Sequence, residues 1–457
     1  MHRHRKFDFK TKGIPLRLHG DGVTSIACGK IWAQSVEALS WSSCLSPRIG
    51  SWITNFLIIF IYESMIVQDQ TMEVVFAQLA WSLYWLERGE WPDRCFRGIL
   101  YTTGIDFARK LTPLAGGFFG ILWIIRNDLE WIVKRLRVPD YRSNDCILCL
   151  AGNYCDLPWS DCRTAALWIP RTWTPVTWAA QFLNPHHLFL ALRLSILVFV
   201  PDPLHTKYIG TDGYFLGGVL RYLTHHLLMN NPDANLSQVI KELGQAYDDL
   251  GIHAGRFSVL KHTSIQSESS KLPYLKGNGY ALKQMTKALQ KVFELHVAKA
   301  RPMGRLTRAS VVSGNNLITL SFKYSIAIDT LLDRNIDSNK LDDADSKALV
   351  SATFGFAQTQ TALIKLFHPV VPFFHYTLKM HYRLHIALVS KYINPNMASC
   401  CEGEDMMKLV KRLIHSSSAG NTPQGCAQKA MARYCKALGF DLTRRAGTAW
   451  SRHALLQ

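Results

Sequence analysis

The order of hydrophobic patterns in the first 140 residues constrains the fold more than any other feature of the sequence. Three consecutive runs have the alternation, or the β-branched and aromatic content, of strands. Short links rich in Gly, Ser and Pro join these runs into a predicted antiparallel meander. A helical repeat, another strand-like run and a second helix follow, which gives the order β-β-β-α-β-α. The predicted strands are 14–22, 30–45, 52–62 and 117–125, and the predicted helices are 71–88 and 129–136.

This order matches the ribonuclease-H-like arrangement, in which a helix joins the meander to a parallel strand. The chain from Phe189 to about residue 395 has mostly helical patterns. We therefore predict an α/β protein with an RNase H-like core (β-β-β-α-β-α) that a large, mostly helical insertion interrupts. The predicted domains are 1–140 for the first part of the core, 141–180 for a Cys-rich loop and candidate zinc knuckle, 181–390 for the helical insertion and 391–457 for the C-terminal helices that complete the core.

The charge of the chain indicates polyanionic partners. The 457 residues include 52 Lys and Arg against 34 Asp and Glu, a formal charge of +18. An excess of this size favours nucleic acid or an anionic membrane surface. The hydrophobic share of 48% excludes wholesale disorder, because disordered chains are poor in apolar residues.

No segment has the features of a membrane span or a secretory signal. The longest uncharged apolar runs, 49–62 and 111–125, are shorter than the roughly 20 residues that a span requires. The basic N-terminus, MHRHRKFDFKTK, has no apolar stretch behind it. We therefore expect a protein that is nuclear or otherwise intracellular, is not secreted and has no membrane partner.

Two aspartates end neighbouring predicted strands. Asp21 lies between two glycines at the end of the first strand, and Asp128 ends the fourth. Side by side, their carboxylates repel each other unless a cation lies between them. Mg²⁺ is the expected cation, because it binds through one or two carboxylates together with phosphates and water. Two structural alternatives stay open: an Asp beside Gly is a common turn residue, and Asp128 can cap the helix that follows it.

A cluster of cysteines lies in the predicted loop. Cys146 and Cys149 have the spacing of half a zinc site, whereas Cys155 and Cys162 are spaced more loosely. The four thiols predict a structural Zn²⁺ site, and the alternative is a set of free, partly buried thiols. His381 and His385 share a helical face but lack the Glu of an HExxH motif, so we interpret them as exposed or satisfied helix residues.

Basic residues predict contacts to a phosphate backbone. Lys283, Lys287 and Lys291 repeat every four residues and so form a stripe on one face of a helix. Such a stripe neutralises phosphates without reading bases, and the alternative is a solvated helix face. The predicted nucleic-acid-binding residues are Lys283, Lys287, Lys291, Arg301, Arg305 and Arg308.

Several short motifs occur in one order that resembles a known family. They are HGDG at 19–22, RNDLEWIVKRLRVP at 126–139, the Cys146–Cys149 pair, DPLH at 202–205, and YINP at 392–395 followed by EGED at 402–405. Their order is similar to that of the DDE transposases of cut-and-paste DNA transposons, especially the CACTA-like and related groups. The resemblance extends from Ile14 to about Leu438.

The resemblance implies a two-metal site for DNA strand cleavage and transfer. Asp21 and Asp128 would be the first two ligands of Mg²⁺ (or Mn²⁺), and Glu404, at the start of a late helix, would be the third. Asp202 and His205 would match an accessory Asp-x-x-His motif that orients or contacts the substrate. DNA, and a homo-oligomer assembled on DNA, are the implied partners.

The chain departs from the family pattern in three respects. Asn127 stands where the family usually has Gly, and Asp202 is the substitute second ligand. Glu402 competes with Glu404 for the third role. Only about 20 residues precede Asp21, so we expect a truncated or domesticated derivative without the separate N-terminal DNA-binding domain.

The sequence therefore favours two functions. The first is a transposase-like, metal-dependent DNA nuclease and strand transferase with a DDE mechanism. The second is a catalytically inactive nucleic-acid-binding protein derived from a transposon. A membrane-associated protein is a weaker third interpretation, suggested by the apolar content.

Overall fold

The computed structural model divides the chain into two compact units. Met1–Val138, Ala179–Phe199 and Cys400–Gln457 form the first, here called the sheet unit, and Pro139–Trp178 and Val200–Ser399 form the second, the helical unit. Three of the predicted site residues, Cys155, Arg301 and Arg305, lie outside the described residues. The described residues are 9–24, 35–46, 54–68, 70–136, 138, 145–152, 156–174, 176–178, 188, 194, 196–228, 230–265, 272–297, 307–368, 371–418 and 421–454.

A four-stranded mixed sheet in the order β3-β2-β1-β4 is the centre of the sheet unit. β1 (Gly13–Thr24), β2 (Ser35–Ser43) and β3 (Asn55–Tyr62) form antiparallel pairs, and β4 (Phe119–Arg126) lies parallel to β1. The predicted meander, its parallel fourth strand and the mixed α/β class are confirmed.

The helices follow in chain order. They are α1 (Phe9–Lys12), α2 (Thr71–Arg88), α3 (Gly104–Arg109), α4 (Leu129–Leu136), α5 (Gly213–Tyr222), α6 (Pro232–Asp249), α7 (Gly279–Val297), α8 (Arg308–Arg334), α9 (Asp343–Phe367), α10 (Leu378–Val389), α11 (Cys401–Ser417) and α12 (Pro423–Ala454). Two π-helical segments, Leu204–Asp212 and Leu223–Leu227, flank α5. The predicted helices 71–88 and 129–136 are confirmed as α2 and α4. Among the described residues, none of the helices combines the length and the hydropathy that a membrane crossing requires.

One face of the sheet is covered by the two C-terminal helices. Val36 and Phe60 of the sheet pack in one buried cluster with Met406 and Val410 of α11 and with Tyr434 of α12. The Tyr434 hydroxyl also accepts a 2.9 Å hydrogen bond from the backbone N–H of Leu57. Apolar burial of this extent on both partners, supplemented by a buried hydrogen bond, holds the C-terminal helices on the sheet.

The opposite face receives α4. The indole of Trp131 packs over Gly20 and donates a hydrogen bond to the buried carboxylate of Glu37. Arg135, one turn further along α4, places its guanidinium 2.6 Å from the same carboxylate. The helix therefore packs directly on β1 and β2, and Gly20 is required because a side chain there would occupy the space of the indole.

Three helices of the helical unit begin with a side-chain cap. The side chains of Asn231, Thr307 and Asp342 each accept a hydrogen bond from the backbone N–H three residues later, which caps the start of α6, α8 and α9.

The helical unit also contains two cations and two carboxylates that are almost fully buried. They pair as Lys207 with Asp212 at 2.6 Å and with Asp329 at 2.8 Å, and Arg383 with Asp212 at 3.0 Å.

Replacement of Gly20 by Ala tests the packing of α4 on the sheet. An added Cβ would lie 2.5 Å from Cε2 of Trp131 and 2.8 Å from Cδ2 of Leu39. We expect Gly20→Ala to lower the free energy of unfolding by about 1–3 kcal/mol, the usual cost of overpacking. Gly22→Ala is the matched control in the same strand, because its Cβ would meet only Ser35 Oγ at 3.8 Å. Urea denaturation measures both, and equal effects would contradict the packing described.

Candidate functional site

Of the two aspartates predicted to end strands, Asp128 lies beyond the end of β4, whereas Asp21 lies inside β1, which continues to Thr24 and pairs Asp21 with Ala38 of β2. β1 and β4 are parallel neighbours, and their register pairs His19 with Arg126. Beyond that pair, the side-chain amide of Asn127 donates a hydrogen bond to the carbonyl oxygen of Gly20. Asp21 and Asp128 each follow one residue later, so their backbone positions lie near each other although the chain between them is about a hundred residues long.

Asp128 also caps α4. Its Oδ1 accepts a hydrogen bond of 2.6 Å from the backbone N–H of Trp131, and its carbonyl oxygen accepts one from Ile132. This is the capping role that the sequence left open. A cap uses one carboxylate oxygen, and the second oxygen of the same group can still contribute to a metal site.

The first turn of α11 lies against the same part of the sheet. Gly403 is buried on the ring of His19, so close that a Cβ on this glycine would overlap the imidazole. Glu404 follows Gly403 and is half-buried. The third predicted carboxylate is therefore carried by α11, which contacts β1 at His19, two residues before Asp21 in the chain.

The three predicted carboxylates do not form a tight cluster. Among the described residues, Asp21, Asp128 and Glu404 are not a set whose oxygen atoms all lie within 4.8 Å of one another. Mg²⁺ keeps several waters and binds through one or two carboxylates together with substrate phosphates, so tight convergence of all three is not required. Carboxylate oxygens are the hard donors that this ion prefers, and the donor set fits it.

Glu402, the competitor for the third role, is engaged in ion pairs. Its Oε2 lies 2.9 Å from Nη1 of Arg126 and 3.1 Å from Nη2 of Arg17, and both guanidinium groups are nearly inaccessible to solvent. A carboxylate that is ion-paired with two buried guanidinium groups is poorly placed to serve as a metal ligand.

The predicted accessory residues form a hydrogen-bonded pair in the helical unit. Asp202 is buried, and its carboxylate accepts the backbone N–H groups of Leu204 at 2.9 Å and of His205 at 3.0 Å. The Nδ1 of His205 lies 2.5 Å from Oδ2 of the same carboxylate, and the His205 side chain is about a quarter exposed. The carboxylate thus orients an imidazole whose other nitrogen points away from it.

A candidate metal centre lies on the side of α10 in the helical unit. Four potential ligand atoms, from Cys146, Cys149, His381 and His385, all lie within 4.8 Å of one another, and all four residues are buried. The Sγ of Cys149 is 3.3 Å from Nε2 of His381, the Sγ of Cys146 is 3.5 Å from Nε2 of His385, and the two Nε2 atoms are 3.1 Å apart. The four donors thus point at one small volume.

Local packing holds these ligands. The spacing of four residues on α10 places both imidazoles on one face, and the ring of Trp168 packs against them with centroids 4.3 Å and 5.0 Å away. The hydroxyl of Tyr382 accepts the backbone N–H of Ile147 at 3.1 Å, which fixes the loop between the cysteines.

The electrostatics of the cluster favour the forms that bind metals. Burial by itself raises the pKa of Cys146, but the hydrogen bond from Cys149 and the neighbouring His385 and His381 outweigh it and hold that pKa well below its ordinary value. Burial lowers the pKa of His381, which favours its neutral imidazole. A thiolate and a neutral imidazole are the protonation states of metal ligands.

The four-cysteine site expected from the sequence is therefore corrected. Cys162 is not in the cluster: its Sγ lies 3.3 Å from the hydroxyl of Thr361. The remaining donors are His381 and His385, which the sequence interpretation set aside because no HExxH glutamate accompanies them. The signal that could have found them is the combination of a CxxC pair with a buried HxxxH pair elsewhere in the chain.

The basic stripe on α7 is partly neutralised by acids. Lys283 forms an ion pair with Asp333, and Lys291 lies 2.5 Å from Asp249. Lys287 is half-buried, and Arg308 is exposed at the start of α8. Two of the predicted phosphate contacts are thus paired with carboxylates, which reduces the positive potential of this face.

Comparisons with known families and curated proteins found no match, so a function has to be assigned from the geometry described above. The sequence matches no family model, and no curated protein is significantly similar to it.

Substitutions at Asp128 separate its capping role from any other. We expect Asp128→Ala to lower the free energy of unfolding by about 1 kcal/mol, because the N–H of Trp131 loses its acceptor. Asp128→Asn should leave the stability nearly unchanged, since Asn caps helices as well as Asp does. Chemical denaturation measures both, and an Asn variant as unstable as the Ala variant would contradict the cap.

Proposed function

We propose that this protein is a DDE-type DNA strand transferase, or a derivative of one, with an RNase H-like core formed by the sheet unit. The observation that carries the proposal is the parallel pairing of β1 with β4, with the backbones of Asp21 and Asp128 near each other and the first turn of α11 packed against β1. The strand order 3-2-1-4 and the order of elements along the chain support the same core.

The proposed chemistry is cleavage of a DNA phosphodiester followed by strand transfer. In the first step a water oxygen forms the new bond to phosphorus as the bond to the 3′-oxygen breaks, the water loses a proton and the departing 3′-oxygen gains one. In the second step the freed 3′-hydroxyl loses its proton and bonds to the phosphorus of a second phosphodiester, whose own bond to a 3′-oxygen breaks and releases a 3′-hydroxyl on that strand. Mg²⁺ or Mn²⁺, held by Asp21, Asp128 and Glu404, would supply an activated water and stabilise charge on the phosphate. The chain's own contribution is to hold three carboxylates at one edge of a rigid sheet.

The cluster of two cysteines and two histidines supports a structural Zn²⁺ site. Thiolate and imidazole ligands suit Zn²⁺, and a Cys₂His₂ set with no remaining open position is typical of structural rather than catalytic zinc. Such a site would link the 146–149 loop to α10, which are more than 200 residues apart in the chain.

A second candidate function is nucleic-acid binding without cleavage. The observation that favours it is that the three carboxylate groups do not all converge within 4.8 Å, while the formal charge is +18. Under this alternative the basic surface is retained and the acidic edge has only structural roles, such as the helix cap at Asp128.

Nicking of supercoiled plasmid in the presence of Mg²⁺ tests the first proposal. We expect Asp21→Asn, Asp128→Asn and Glu404→Gln each to reduce the nicking rate by about a hundredfold or more, because each removes one carboxylate ligand. Asp405→Asn is the control: its exposed carboxylate pairs with Lys408, and the variant should cleave normally. Nicking that persists in Asp21→Asn would refute the proposal, and DNA binding without nicking by the parent protein would favour the second function.

Elemental analysis of the purified protein tests the zinc site. We expect about one Zn²⁺ per chain, lost in Cys149→Ser and in His385→Ala because each removes one of four ligands. The matched control is Cys162→Ser, which removes a buried thiol outside the cluster and should keep the metal. Full zinc content in Cys149→Ser would exclude the site.

A further inference from the structure

Glu402 connects α11 to both strands that carry the proposed metal ligands. Its carboxylate lies 2.9 Å from the guanidinium of Arg126, at the end of β4, and 3.1 Å from that of Arg17, in β1. The guanidinium groups are almost fully buried, whereas the carboxylate is about a quarter exposed. The ion pairs therefore lie at the border between the sheet and its metal-binding edge.

The same guanidinium groups reach the other two strands. Arg126 donates to the side-chain oxygen of Asn55 in β3 at 2.6 Å, and Arg17 donates to the hydroxyl of Ser42 in β2 at 3.2 Å. Through these bonds, one carboxylate in the first turn of α11 is tied to every strand of the sheet. Buried, hydrogen-bonded arginines have a fixed geometry, because the planar fork can be satisfied in few ways.

The position of Glu404 follows from this anchorage. Glu402 binds the arginines, Gly403 is pressed on His19, and Glu404 is the next residue of the same helical turn. Successive residues of a helix are related by a fixed rotation and rise. Once the first two contacts are set, the direction of the third side chain is set with them.

Glu402 also controls the charge beside the site. Arg17 and Arg126 carry two positive charges, and Glu402 neutralises one of them. Loss of this carboxylate would make the net charge of the group more positive by one unit, in surroundings of low dielectric where charges interact strongly.

We propose that Glu402 is a positioning residue for the metal site: through Arg17 and Arg126 it orients the turn that carries Glu404 and limits the positive charge at the metal-binding edge. The inference rests on the proposed function of Asp21, Asp128 and Glu404. It assigns Glu402 a role distinct from that of a metal ligand.

Binding of Tb³⁺ tests the inference without relying on activity. Tb³⁺ is an oxygen-seeking substitute for Mg²⁺, and its luminescence would be sensitised by Trp131, whose backbone N–H is bonded to Asp128. Titration of the full chain gives the dissociation constant, competition with Mg²⁺ identifies the site, and near-ultraviolet circular dichroism verifies that each variant is folded.

We expect Glu402→Gln to weaken Tb³⁺ binding by about tenfold, because the turn loses its anchor and the local positive charge rises. Glu402→Asp keeps the charge and should bind within about threefold of the parent. Asp405→Asn removes the same charge from the same turn but contacts neither arginine, and it should bind like the parent. If Glu402→Gln does not fold, the double variant Glu402→Gln/Arg17→Met is used in its place. It removes one buried cation together with the anion, and it should also bind Tb³⁺ more weakly than the parent.

The outcomes separate the inference from the proposed function. If the parent binds Tb³⁺ and Asp21→Asn abolishes binding, the metal site stands. In that case, a folded Glu402→Gln variant with parental affinity, or an equal loss in Asp405→Asn, overturns the role of Glu402. If the parent does not bind Tb³⁺, or Asp21→Asn binds it unchanged, the proposed function fails first and the inference with it.

Discussion

The parallel pairing of β1 with β4 is the interaction on which the arrangement of the sheet unit depends. Parallel neighbours need a long crossover, and here 107 residues separate Gly20 from Asn127, which bond to each other. Closing a segment of that length costs entropy, and the packing of α2 and α4 on the sheet offsets this cost. The pairing places the backbone of Asp128, beyond the end of β4, near that of Asp21 inside β1.

The buried ion pairs between the sheet and α11 are better understood through orientation than through stability. Removing two guanidinium groups and a carboxylate from water is costly, and an apolar replacement is often no less stable. The ion pairs of Glu402 with Arg17 and Arg126 instead give α11 a defined direction on the sheet. Under the proposed function this direction matters, because the neighbouring Glu404 would supply the third carboxylate of the metal site.

The metal cluster illustrates the same dependence on distant contacts. Its cysteines lie in a loop and its histidines on α10, and the bonded pair Cys149 and His381 is 232 residues apart. A metal bound by four buried ligands would contribute folding free energy directly, in addition to the hydrogen bond from Ile147 to Tyr382 that already fixes the loop. The ring of Trp168 closes one side of the cluster and excludes water from it.

Local patterns in the sequence determined the order and type of the elements, because the periods of strands and helices depend on neighbours within a few residues. They also located Asp21, Asp128 and the CxxC pair. Tertiary structure alone decided that His381 and His385, rather than Cys162, accompany that pair, and that Glu402 binds the buried Arg17 and Arg126. Contacts between residues a hundred or more positions apart leave no periodic trace in the chain, and only the folded backbone brings such partners together.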